Sequence, residues 1–106
     1  LGAPTELTIS GGAVTATRSY HTIDTESDDL TDDLDNINGG TDGDILILRS
    51  AASSRDTTIR DNSVSSGNIH LDGGTQFQLT NTIDKIMLIY DGLTSHWTEV
   101  SRSNNN

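Results

Sequence analysis

Two segments of this chain are apolar at every position: Ile45-Leu46-Ile47-Leu48 and Ile86-Met87-Leu88-Ile89. Runs this short, bounded by Asp44 and Arg49 or by Lys85 and Tyr90, read as strands. Successive side chains of a strand point to opposite sheet faces, so each segment is greasy on both. A strand in an isolated antiparallel sandwich shows one polar face, and these do not. Each such side chain contributes ~1.5–3 kcal/mol when fully buried. Leaving four of the eight exposed would forfeit ~6–12 kcal/mol, which rivals the ~5–15 kcal/mol total stability of a small domain. A second cover is required: a helical segment of the same chain, or a neighbouring copy. Self-association is the economical choice, and a closed three-fold or two-fold arrangement is its normal outcome. These eight residues and Trp97 are therefore assigned to core and interface.

The rest of the composition fits a small domain short of core. The 106 residues read as one β domain, with residues 1–4 as an arm or linker and 103–106 as a polar tail. Only 24 residues are Leu, Ile, Val or Phe, and the aromatics are Phe77, Trp97, Tyr20 and Tyr90. So thin a core calls for a bound ion, an oligomer, or both. The absence of cysteine excludes a disulfide scaffold, thiolate zinc, iron–sulfur clusters and a cysteine nucleophile. A formal charge of −10 repels nucleic acid and anionic lipid, so neither is an expected partner. No apolar run approaches the ~20 residues that span a bilayer. Leu1-Gly2-Ala3-Pro4 has neither the basic region nor the apolar core of a secretion signal, and the missing initiator Met suggests a trimmed or fragmentary start.

Strand signals dominate elsewhere. Glu6–Ser10 alternates, Ala13–Thr17 is Thr-rich, and further segments lie at Tyr20–Ile23, Thr57–Arg60, Asn68–Leu71, Gln76–Leu79 and His96–Val100. Turn residues separate them at Gly11-Gly12, Asp61-Asn62, Asp72-Gly73-Gly74 and Asp91-Gly92. About nine short strands at this spacing predict an all-β, antiparallel sandwich or jelly-roll-like domain. One stretch differs. Residues 24–44 hold nine acids and no base, and Leu30, Leu34 and Ile37 stand at helical spacing. The expectation there is a short acidic helical segment over a sheet edge, capped by Asp28 or Thr31 and ended at Asn38-Gly39-Gly40.

Chemistry-bearing patterns are sparse. Asp33, Asp35, Asp42 and Asp44 are the one set of Ca²⁺ candidates, since hard cations take oxygen ligands. EF-hand spacing fails, because Ile37 occupies the third ligand position and no Glu stands at the twelfth. No other cofactor or metal is expected. His21, His70 and His96 form no HxH or HExxH pair. His70 lies on the face opposite Ile69 and Leu71, which suits a surface or intersubunit position. Ser, His and Asp are plentiful but lack a GxSxG context, and paired carboxylates lack aromatic platforms, so no enzymatic activity is expected. Trp97, after the loop Asp91–Ser95, has two readings: an anchor of core or interface, or with Tyr20 a stacking surface for a sugar.

Several runs taken together resemble a known family. They are Tyr20–Glu26 with Asp32–Gly40, then Gly43-Asp44-Ile45-Leu46-Ile47-Leu48, Thr58-Ile59, Gly67–Leu71, Phe77–Leu79, Ile86–Gly92 and Trp97–Asn104. Their turn-and-strand signatures resemble the C-terminal β-rich domains of tailed-bacteriophage virion proteins, of the tail-fibre, head-fibre or decoration type. The resemblance implies a homotrimeric structural module on the virion surface. It implies other virion proteins as partners and, at a fibre tip, a host surface glycan. It carries over no catalytic residue.

Overall fold

Thr5, His21 and Leu48 stand side by side on three strands that run in the same direction. The computed structural model describes residues 1–105. The strands in chain order are β1 (Thr5–Thr8), β2 (Ala13–Thr15), β3 (Tyr20–Asp24), β4 (Thr31–Leu34), β5 (Asn36–Asn38), β6 (Ile45–Ser50), β7 (Asp56–Ile59), β8 (Ile69–His70), β9 (Phe77–Leu79), β10 (Lys85–Asp91) and β11 (His96–Ser103). One short helix, α1 (Asn62–Ser65), follows β7.

Parallel neighbours need a crossover that leaves the sheet and returns. Here strands on other faces supply it. The chain passes from β1 through β2 to β3, and from β3 through β4 and β5 to β6. β2 pairs with β5 and β4 with β7, again in parallel, so successive passes stack as coils. After β7 the direction reverses. β9 runs antiparallel to β7, β10 antiparallel to β6, and β11 antiparallel to β10. The largest sheet has the order β1-β3-β6-β10-β11-β8.

The chain is all-β, but the expected antiparallel arrangement gives way to a coiled one. Among the described residues five of the eight strand pairings are parallel. The acidic helical segment is absent as well. Residues 24–44 form a single 3₁₀ turn at Glu26–Asp28 and then β4 and β5. Leu34 ends one strand, Ile37 lies in the next, and both are fully buried. At Asp35 the chain passes from the sheet of β4 to that of β5, so a junction between two strands reproduces the three-residue spacing of a helical stripe. Leu30, the first member of that stripe, is 76% exposed.

The inward residues of all faces meet in one core, with Ile23, Leu46, Leu48, Ile86 and Leu88 from the large sheet and Leu34, Ile37, Ile59 and Leu79 opposite. Coils approach closely at Gly39, whose φ is +91° and where an added Cβ would fall 2.6 Å from the Ala16 carbonyl oxygen, so there is no room for a side chain. His21 is a fully buried core residue. Its Nε2 accepts from the N–H groups of both Thr17 and Arg18 at 3.1 Å, so Nδ1 carries the proton and donates to the Thr5 carbonyl at 3.0 Å. The imidazole thereby ties the corner before β3 to the first strand.

Candidate functional site

The two apolar strands, β6 and β10, are neighbours in the middle of the large sheet, with Leu46 opposite Leu88 and Leu48 opposite Ile86. Those four side chains are buried. The alternate positions face outwards: Ile45 opposite Ile89, and Ile47 opposite Met87. Ile45 is 46% and Ile89 37% exposed, while Ile47 and Met87 are half-buried. The expectation of eight residues shared between core and interface thus divides evenly, four inside and four forming a square on the outer face. Tyr20 borders the square beside Ile47, and Ser101 and Thr98 border it beyond Met87 and Ile89. A cavity of about 210 Å³ opens next to it, lined by Ile47, Lys85, Met87 and Ser101 among others.

Trp97 does not join this surface. It is 1% exposed, meets Tyr90 edge-on at a centroid distance of 5.1 Å, and donates its indole N–H to the Ile37 carbonyl at 3.1 Å. An indole that is only 1% exposed offers no platform for a sugar, which corrects the ligand-binding assignment of Trp97. Tyr20 is half-buried, and its hydroxyl accepts from Arg49 Nε at 3.1 Å.

The acidic residues have local work. Arg60 grips Asp35 at 2.7 Å and stands 3.6 Å from Asp33, which supplies the positive charge that a cation would bring. Asp42 accepts from Gly92 N–H at 2.9 Å and Asp44 from Thr41 N–H at 3.0 Å, at the end of β6. Among the described residues no group of three or more His, Asp or Glu is placed to hold a metal ion. On the inner side Arg102 clasps Glu99 at 2.6 Å and lies 5.0 Å from the Phe77 ring centre. That hydrogen bond holds the Glu99 carboxyl below the usual carboxylate range, against the upward push of burial.

Two histidines that lie far apart in sequence come together. His70 and His96 line a groove of about 270 Å³ with Asn62, Asp91, Thr94 and Thr98. Asn62 bridges them, its Nδ2 at 3.3 Å from His96 Nε2 and its Oδ1 at 3.2 Å from His70 Nδ1. His96 Nδ1 lies 2.7 Å from the Thr94 carbonyl, which fixes it as the protonated nitrogen. Asp91 accepts from the Thr94 hydroxyl at 2.9 Å; this bond, the Leu93 N–H and the nearby His96 hold its carboxyl below the usual range. Strand spacing alone gave no sign of this groove, because α1 and two separate strands contribute to it.

No protein-family model matches this chain, and no curated protein matches it. No helix of the described residues is long and apolar enough to cross a membrane.

Proposed function

We propose that this chain is a non-enzymatic structural module that associates with itself, as a trimer, on the surface of a phage particle, as part of a fibre or a capsid decoration. The observation that carries the reading is the outward square of Ile45, Ile47, Met87 and Ile89 at the centre of the large sheet. Central strands are where a sheet most needs cover, and contiguous exposed apolar patches mark interaction surfaces. The stacked coils supply a second support: main-chain ladders running along the stack suit a part that bears load. The virion setting rests on the resemblance of the turn-and-strand signatures.

Sedimentation of the full chain at micromolar concentration tests the reading, with a trimer as the expected mass. Ile47→Asp and Ile89→Asp place a charge on the outer face and are expected to give folded monomers with an unchanged circular dichroism spectrum. Charges at Leu46 or Leu88 would test folding instead, since both point inwards. A monomeric wild type, or full assembly of both outer-face variants, overturns the proposal.

A second reading, recognition of a host glycan, is favoured by the groove between His70 and His96. Its side-by-side donors and acceptors on Asn62, Thr94, Asp91 and Thr98 suit vicinal sugar hydroxyls. A glycan array with Asn62→Ala as control decides: loss of a bound sugar with assembly retained supports it, and no binding by the wild type removes it.

A further inference from the structure

Arg49 and Lys85 are direct cross-strand partners on the outer face. Like charges directly opposite each other destabilise a sheet. The chain has only six basic residues against sixteen acids, so acid partners are plentiful. Arg55, Arg60 and Arg102 each use them, gripping Asp24, Asp35 and Glu99 at 2.7, 2.7 and 2.6 Å. Arg49 and Lys85 do not. Their polar contacts are neutral: Tyr20 Oη, Ser50 O and Thr82 O for Arg49, and Ile83 O for Lys85. The nearest acid in their cross-strand row is Glu6, two strands away beyond Thr22. At about 4.8 Å per strand that is roughly 10 Å, near a Debye length at 0.1 M salt.

The opposite ends of the same two strands carry the opposite sign. Asp44 precedes Ile45, Asp91 closes β10 two residues beyond Ile89, and Asp42 reaches across to Gly92. Arg18 lines a cavity with Asp44 and Ile45, and His96 stands opposite Asp91, but the three carboxylates outnumber the one arginine, so this end stays acidic. Along both strands the outer face therefore runs from base, through the apolar square, to acid. We propose that this polarity sets the direction of self-association: the Arg49/Lys85 end of one copy meets the Asp42/Asp44/Asp91 end of the next. The inference rests on the self-association reading above and specifies its geometry. An axis along the coil stack, perpendicular to the strands, repeats this contact head to tail and closes a ring without setting like against like. A two-fold axis parallel to the strands would put four cations together, and the polarity excludes it. Heterologous contacts of this kind close into rings when the rotation allows. The charges fix register and partner while the apolar square supplies the burial.

Sedimentation of the full chain at about 0.01 M and about 1 M NaCl, between which the Debye length falls from roughly 30 to 3 Å, tests the inference. Wild-type association is expected to weaken as salt rises. R49E/K85E is expected to stay folded and to associate at least about tenfold more weakly. R49E/K85E/D42K/D44K, which inverts both ends, is expected to assemble again. Wild-type association indifferent to salt, or R49E/K85E associating as tightly as wild type, overturns the head-to-tail contact and leaves the apolar interface standing. A monomeric wild type overturns both, and if that monomer captures heparin through Arg49 and Lys85, the partner is a polyanion rather than a second copy.

Discussion

The side-chain amide of Asn68 stands in for a strand beside Ile37. Its Oδ1 accepts from the Ile37 N–H and its Nδ2 donates to the Ile37 carbonyl, both at 2.8 Å. β5 has β2 on one side, and on the other side this amide and the Trp97 indole satisfy its central backbone groups. Ile37 is fully buried, so water cannot replace a lost partner. Asn68→Ala is expected to cost about 2–4 kcal/mol, from two buried backbone groups stripped of a bond at ~1–3 kcal/mol each, the carbonyl keeping Trp97. Urea unfolding measures it; a loss below about 1 kcal/mol would show that the amide is dispensable.

Thr57 presents the opposite case. It is fully buried in β7, and its hydroxyl has no hydrogen-bond partner among the described residues. An unmet hydroxyl costs free energy that a methyl group of the same shape does not. Thr57→Val is expected to raise stability by about 1 kcal/mol, read as a higher urea midpoint with an unchanged slope. A destabilised Val variant would mean that the hydroxyl has a partner.

The strands were legible in the sequence; their direction was not. Ile45–Leu48 and Ile86–Ile89 announced themselves as strands with an excess of apolar surface, and the exposed Ile45 and Ile89 are that excess. Alternation says which side chains share a face but is the same for parallel and antiparallel neighbours, so the coiling of β1, β3 and β6 left no mark. Leu34 and Ile37 imitated a helix because a junction between short strands of two sheets leaves buried residues three apart. Asn68 had no hydrophobic signature at all, since it works through its amide. His70 and His96 meet because β8 pairs with β11, which sets His70 beside Thr98, and Asn62 of α1 then bridges the two rings.

Two buried carboxylates make stability depend on acidity. Burial pushes the Asp61 carboxyl up, but bonds from Ser63 and from the Leu71 N–H at 2.7 Å outweigh it, and the net position lies below the usual range. Asp84 behaves alike: burial raises it, while the Asn105 N–H at 2.8 Å, Thr80 and Asn81 bring it down. A native pKa below the unfolded value of about 3.9 means that each group stabilises the fold above that pH. The contribution disappears as pH falls through the native value. The melting temperature is therefore expected to hold from pH 7 to about 5 and to fall below about pH 4. Asp84→Asn removes the charge without removing bulk. It is expected to melt below wild type at neutral pH, with the gap narrowing towards pH 3 as the wild-type carboxyl takes up its proton. A gap of constant size across that range would show that the charge of Asp84 contributes nothing and that its shape alone matters.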